Sequence, residues 1–492
     1  MLNSTKNSTV EFCQPGTFVD RRLESVGNLL LERVLDSGTL IVKKFSKNRA
    51  EQVRFERFLW NEKVTTPRML NSSQQMVAKN AEGVEHVLAI QDTTEFSFDR
   101  RRGELRSMGV IKNNKAMGFF AHPVIAVDIK DTFVLGLAHC QFWSWDKDRV
   151  KKSSYERDCQ DVTEKESFRW IEAATNAKLC LSGARLVTFV SDRESDIYSI
   201  FFDVPDKKNH VLIRSSKDRH VLSESGKKDN LSAFMARQPF CGQRDVLVPA
   251  RSKISDARQQ SVMQKCGLKE NGRPERLAKL QIRYSKVTIL RPSSPGLKRY
   301  PPSVELTCVE VEETGINDEQ KERIHWRLLT THQCNNESDA WFVVDMYRKR
   351  WTIEQLFRTA KKGGFQIENI DCVKREAIEK LCFIGMLASV KVLQLTLCRE
   401  GTIARNADVI FNENEQKVLE KLNPTLEGKT IKQKNPHPAR TVAWAHWIVG
   451  RLGGWMGYSS AGPAGPVVLK LGLDRFERYV EAFSLLKDVC IT

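Results

Sequence analysis

The sequence predicts an α/β fold: a mixed sheet covered by helices, with a β-rich insertion and helical modules at both ends. Three observations carry this. Apolar runs of strand length at residues 87–94, 119–128, 132–143, 185–192 and 210–214 give three strands, a helix, a strand, a helix and a strand. Residues 216–323 change character, with polar Lys/Arg-rich runs between short strands and a Pro/Gly cluster at 291–302. Both ends of the chain carry helical spacing. The expected division is a helical module over residues 1–65, a core over 66–400 with its insertion at about 216–325, and a helical module over 401–492.

Taken in order, residues 18–35 have helical spacing behind an Asp20-Arg21-Arg22 start, and 49–60 form a second, Arg-rich amphipathic segment. Plain packing or DNA contact through Arg21 and Arg22 would both suit this module. Residues 87–94 read as a buried strand carrying Asp92. The next two strands are joined by Ile129-Lys130-Asp131, short enough for a hairpin. A helix is expected over 164–181. The strand at 185–192 ends on Asp192, and Asp192-Arg-Glu-Ser-Asp196 leads into another helix. After 210–214 and the insertion, residues 325–330 return the chain to the sheet. Residues 374–398 read as one long apolar helix closing the core. Helices follow at about 406–422, 440–452 and 467–486, with Trp444, Trp447, Trp455 and Met456 suited to either core packing or a partner interface.

One further stretch stands out. Residues 347–361 read as one helix, with Ser338 as an upstream N-cap and Gly363-Gly364 as a stop. Arg350, Glu354 and Lys361 stand 3, 7 and 14 residues beyond Tyr347. At about 100° per residue they fall at roughly 300°, 340° and 320° from it, on one narrow stripe. Ile353, Leu356, Phe357 and Ala360 lie to the side and can anchor the helix. Alone, such a stripe is equally a solvated, salt-bridged face. Asp92 and Asp192 change the balance, because they converge if their strands are neighbours.

Composition narrows the function classes. The net charge is +17 with a pI of about 9.3, which suits a polyanionic partner. Basic clusters at Arg100-Arg-Arg102, 147–152, Lys207-Lys208 and Lys361-Lys362 are dispersed along the chain, as a long nucleic-acid footprint requires. The 12 cysteines form no CxxC pair, which argues for a reducing compartment and against structural zinc. No run of about 18 apolar residues is apparent and no signal-peptide core precedes the first helix, so no membrane partner is expected.

Three carboxylates at one place need cations. Two unit charges about 4 Å apart cost roughly 4 kcal/mol at an effective dielectric of 20. A divalent, oxygen-preferring ion such as Mg²⁺ removes that cost, and two such ions can serve the attacking and leaving oxygens of a phosphodiester. Arg350 and Lys361 can hold the phosphate, and Tyr347 can hydrogen-bond or stack.

These residues resemble the YREK signature of bacterial DDE transposases of the insertion-sequence-four family. Ile90-Gln-Asp92-Thr-Thr, Asp192-Arg-Glu-Ser-Asp, Trp326 before Leu328-Leu-Thr, and Tyr347 through Lys361 all fit in order. Leu452-Gly-Gly-Trp-Met-Gly-Tyr and Gly465-Pro are also similar. The resemblance covers nearly the whole chain and is weakest in the insertion and the first residues. It implies an RNase H-like core with Asp92, Asp192 and Glu354 binding two Mg²⁺ ions, with Mn²⁺ a substitute. It implies cleavage at transposon ends through a DNA hairpin, then joining of the 3′ ends to target DNA. Trp326 would stack on a flipped base and Arg214 would contact a phosphate. Two protomers would bridge two ends, the N-terminal module reading end sequence and the C-terminal module dimerising. A bacterial cytoplasmic protein, at the nucleoid when bound to DNA, is implied as well. The competing readings are an RNase H-like nuclease that cuts without joining, and a non-catalytic, domesticated DNA-binding protein. The first should lack the Tyr, Arg and Lys around Glu354, and the second should have lost an acid.

Overall fold

Thirteen strands, β1 to β13, are the sheet-forming segments of the described residues. The computed structural model describes residues 12–489 apart from 99–102, 104, 112–115, 151, 224–225, 249–274, 316–322, 362–363, 402–404 and 459–461. The basic cluster at 100–102, Asp99, Lys362, Gly363 and the basic stretch 251–269 therefore lie outside the description.

The centre of the sheet is built from β1 (His86–Gln91), β4 (Ala116–Asp128), β5 (Val134–Trp143), β6 (Leu186–Ser191) and β7 (Asn209–Arg214). β4 pairs antiparallel with both β1 and β5, while β1, β6 and β7 run parallel. Every residue of β1 and β4 is buried. Helices cover both faces, which is why these strands read as continuous apolar runs rather than alternating ones. The β4–β5 connection is the expected hairpin, closed by Thr132 N–H donating to Asp128 O at 2.9 Å. Two short strands escape pattern reading: β2 (Thr94–Ser97) and β3 (Val110–Ile111), both paired to β4.

The insertion extends this sheet rather than forming a separate layer. β13 (His325–Thr330) returns antiparallel beside β7, and β12 (Ser303–Thr314) and β11 (Arg276–Leu290) continue outward as a long hairpin. β8 (His220–Leu222), β9 (Lys228–Asn230) and β10 (Gly242–Val248) complete the far edge.

Three features differ from the sequence-based expectation, and one alternative it left open is decided. The segment expected as a helix over 164–181 opens with two 3₁₀ turns before the helix Arg169–Cys180. An additional helix, Thr66–Ala81, capped by Thr65, packs on β5. Its Val77 approaches Gly136 so closely that a Cβ there would come within 2.6 Å of the valine methyl, at a φ of +149°. The core helix Arg375–Leu397 is long and apolar enough to cross a membrane by length and composition, correcting the expectation that no such segment exists; 83% of its most apolar window is buried inside the protein. In the last module Trp444 and Trp447 are buried, Trp455 is half-buried and donates to Gly462 O, and Met456 is exposed. Core packing therefore accounts for the two helical tryptophans.

The N-terminal helix Arg21–Ser37 packs on Arg375–Leu397 and on the last helix, Pro466–Val489. Arg33 ties it to Glu481 of the last helix at 2.9 Å and to Glu51 of the helix Arg49–Trp60 at 3.2 Å. Arg21 and Arg22 at the other end of that helix are exposed.

Candidate active site

β1 and β6 are adjacent and parallel, with Ile90 opposite Val190. Asp92 and Asp192 each stand two residues past that pair, just beyond the carboxyl ends of these neighbouring strands, so the backbone register sets them side by side. Asp92 Oδ1 accepts from Thr93 N–H at 2.8 Å. Asp192 caps the 3₁₀ turn Arg193–Ser195, accepting from Arg193 N–H at 2.8 Å. Each acid is thus fixed by its own next residue before any long-range contact is made.

The third acid arrives on a broken helix, not the single helix the spacing predicts. Glu337–Arg348, capped by Asn336 rather than Ser338, ends one turn before Trp351–Ala360 begins. At the junction Arg350 N–H donates to Tyr347 O at 3.0 Å and Ile353 N–H to Arg350 O at 3.1 Å. These three-residue steps wind at about 120° per residue, tighter than an α-helix. Tyr347, Arg350 and Glu354 still face the two aspartates. Tyr347 Oη donates to Asp192 Oδ1 at 3.1 Å. Arg350 Nη1 lies 3.1 Å from Asp92 Oδ2 and 3.4 Å from Glu354 Oε1, and its Nη2 lies 3.9 Å from Asp192 Oδ2. One guanidinium therefore ties together all three acids.

Lys361 follows the last turn of Trp351–Ala360 with non-helical backbone angles, and its Nζ lies 5.4 Å from the Phe96 ring centre. The helix stops here because Gly364 passes so close to Thr359 O that any Cβ would collide with it. Trp326, on β13 opposite Val311, is half-buried and meets the Tyr347 ring edge-on at 5.3 Å. Arg214 ends β7 opposite Leu328, and its Nη2 donates to His325 O at 3.3 Å.

The electrostatics follow from three carboxylates sharing one guanidinium. Burial pushes the Asp92 carboxyl up to about 7; Thr93 N–H and Arg350 pull it down, while Glu354 and Asp192 add to the rise. Burial, then the Asp192 charge, raises the Tyr347 phenol, so it stays a hydrogen-bond donor. Burial opposes charge on Arg350, yet the surrounding Tyr347, Asp192, Asp92 and Glu354 hold its guanidinium above its ordinary value.

A supporting chain beneath Asp92 was not among the expected site residues. Arg169 Nε donates to Thr93 Oγ1 at 3.2 Å, and its Nη2 donates to Glu194 at 2.8 Å. Thr93 Oγ1 meets His122 Nδ1 at 2.9 Å, and His122 Nε2 meets Gln91 at 3.2 Å. The available signal was polar residues inside apolar strands: Gln91 and His122 are both fully buried. Of the nearby acids, Asp196 is buried against Arg219 and accepts from Ser216 N–H, while Asp345 pairs with Arg244 and Arg348. Both have structural partners instead of facing the site.

Asp92, Asp192 and Glu354 offer hard oxygen donors, and when all three are ionised the single Arg350 guanidinium leaves them in excess of negative charge. That donor set and the raised Asp92 carboxyl fit a divalent cation. Their oxygens are not as tightly gathered as two other groups. Among the described residues, Glu310–Glu312–His325 and Glu32–Asp36–Glu481 each bring ligand atoms within 4.8 Å of one another. Arginines already occupy both: Arg283 and Arg327 on Glu310, and Arg33 on Glu32, Asp36 and Glu481.

Residues 174–391 match the family model described as a transposase DDE domain. The match includes Asp192 and Glu354, and Asp92 lies upstream of it. The fold is an RNase H-like mixed sheet carrying a β-rich insertion, with helical regions at both ends. A cryo-EM structure of the piggyBac transposase synaptic complex with hairpin DNA overlaps at a TM-score of 0.35 and 8% identity, covering 92% of this chain and 75% of that one.

Proposed function

We propose that this chain is a cut-and-paste DNA transposase of the DDE class, and within it a member of the insertion-sequence-four family. The observation that carries the reading is the convergence of Asp92, Asp192 and Glu354 on one guanidinium, in a chain whose residues 174–391 match a transposase DDE domain.

In this reading Asp92, Asp192 and Glu354 hold two Mg²⁺ ions, with Mn²⁺ able to replace them. The bound metal supplies activation of a water or 3′-hydroxyl and stabilisation of the leaving oxygen. The protein's own groups do the rest. Tyr347 keeps the Asp192 carboxylate oriented through its hydroxyl. Arg350 balances the acids while the site is free, and turns to a phosphate oxygen when DNA enters. Lys361 supplies a second phosphate cation. Trp326, held against Tyr347, offers its indole face to a base displaced when the cleaved end folds into a hairpin; such stacking is worth about 1–3 kcal/mol. Arg214 contacts the DNA backbone beside it. Residues 1–65 read the transposon end, residues 401–492 support a homodimer that bridges two ends, and target DNA receives the freed 3′ ends. The nearest alternative is a nuclease that cuts without joining; Tyr347, Arg350 and Lys361 around Glu354 favour the transposase.

The test is cleavage of labelled DNA carrying the element's ends, with Mg²⁺, with EDTA, and with Glu354→Gln. A metal-dependent double-strand cut with a hairpin species on a denaturing gel, both absent in the variant, supports the reading. Binding with no cut, unchanged by the variant, leaves only a DNA-binding protein. A cut without hairpin or joined product selects the nuclease.

A further inference from the structure

A cavity of about 340 Å³ lies away from the carboxylate site, where the N-terminal helix, the helix Thr66–Ala81, β5, the core helix Arg375–Leu397 and the C-terminal helices Glu413–Leu426 and Pro466–Val489 meet. Its size is that of a small-molecule site. Leu31, Leu35, Val77, Leu387 and Val390 give it apolar walls. Two amides on those walls have already committed donors: Asn80 to Leu135 O at 2.9 Å and Gln394 to Val134 O at 2.7 Å.

Four charged side chains also line it: Glu32, Lys391, Glu415 and Glu477. Glu32 lies 3.2 Å from Arg33 Nη1. Lys391 Nζ is 3.6 Å from Glu415 Oε1, and Glu415 Oε2 accepts from Asn412 N–H at 2.6 Å. That pair is mutually satisfied. Glu477 is different. It is 6% exposed, and the cation acting on it is Lys391, which Glu415 already holds. Burial first, and then the Glu415 charge, push its carboxyl well up; Lys391 pulls it down, and Asp36 and Glu32 add to the rise. Two buried carboxyls thus share one ammonium, which is costly, so this position calls for a second cation.

The chemistry of the cavity narrows the ligand. Anions are repelled by Glu415 and Glu477. A hard divalent cation needs six or more gathered oxygen ligands, and among the described residues Glu415 and Glu477 belong to neither group whose ligand atoms lie within 4.8 Å of one another. A neutral apolar molecule would leave Glu477 competing with Glu415 for Lys391. An ammonium on a short aliphatic chain satisfies both halves, its charge at Glu477 and its methylenes along Leu31, Leu387 and Val390. We propose that this cavity binds a linear aliphatic ammonium ion, with Glu477 as its counter-ion.

The test uses the full chain, with n-hexylammonium chloride as probe and n-hexanol as its neutral match, by isothermal titration calorimetry and thermal unfolding. The expected result is one saturable hexylammonium site that raises Tm, with hexanol at least tenfold weaker. Glu477→Gln should weaken hexylammonium at least tenfold and leave hexanol unchanged. Val390→Phe, which fills the cavity from another wall, should abolish binding of both. Equal affinity for amine and alcohol, no saturable amine binding, or amine binding that survives Glu477→Gln or Val390→Phe overturns the proposal. The amine–alcohol comparison on the unaltered protein decides the matter even if a variant fails to fold.

Discussion

Glu310 and Asp92 are both carboxylates shielded by the same extended sheet, and they are treated in opposite ways. Glu310, on β12, is fully buried and meets Arg283 at 2.7 Å, Arg327 at 2.7 Å and His325 at 2.9 Å. Burial alone would raise its carboxyl, but these three partners hold it down to about 2. Asp92 shares the single guanidinium of Arg350 with two other acids, and burial carries it up to about 7. A saturated acid fastens strands; an acid left short of cations retains an affinity that a ligand can satisfy. By that measure the tight acid cluster at Glu310 is structural, although its ligand atoms are closer together than those of the triad.

The largest effect should separate the two clusters by function. Glu354→Gln or Asp192→Asn should lower end cleavage by at least about 10³-fold while leaving the thermal unfolding midpoint nearly unchanged. Loss of fold in either variant would break the contrast. Conversely, Glu310→Gln leaves buried cations uncompensated and should cost about 3–5 kcal/mol in urea denaturation. A neutral outcome would move Glu310 out of its structural role.

The pH dependence sharpens the same contrast. Glu310 falls from an ordinary 4.5 to about 2 in the folded protein. The folded state therefore binds fewer protons than the unfolded one in that window. The stability Glu310 contributes is fully present above about 4.5 and is lost as pH falls through about 2. Denaturation midpoints measured from pH 5 to pH 2 should fall more steeply in the parent protein than in Glu310→Gln. The smallest effect belongs to Tyr347→Phe, which removes one hydrogen bond to Asp192 worth about 1 kcal/mol. It should lower cleavage about fivefold to tenfold, seen in single-turnover rates with Mg²⁺.

Much of this contrast was legible in the sequence on one side only. Asp92 and Asp192 each close an apolar strand, but whether those strands are neighbours stayed open in the sequence, and the parallel β1–β6 pairing supplies it. Tyr347, Arg350 and Glu354 share a stripe at helical spacing, and they do converge. The break between Arg348 and Trp351 was not legible, because nothing in Lys349-Arg350 disfavours a helix; contacts from Tyr347 to Asp192 and from Arg350 to Asp92 accompany it, and both are long-range. The Glu310 network was equally hidden. Its acid and its cations come from two strands of the insertion and from β13 beyond it, whose mutual register no local pattern specifies. Trp444 and Trp447 looked equally suited to core or interface because an amphipathic count cannot tell which surface another helix covers.

The central claim is that the charge-short acids, and not the saturated ones, take the metal. The direct measurement replaces Mg²⁺ with Fe²⁺ and maps hydroxyl-radical cuts along the polypeptide in ascorbate and peroxide. The account predicts cuts beside residues 92, 192 and 354, suppressed by excess Mg²⁺ and weakened in Glu354→Gln. Cuts beside 310, 312 and 325, or beside 32, 36 and 481, or no cutting above the metal-free background, would contradict it.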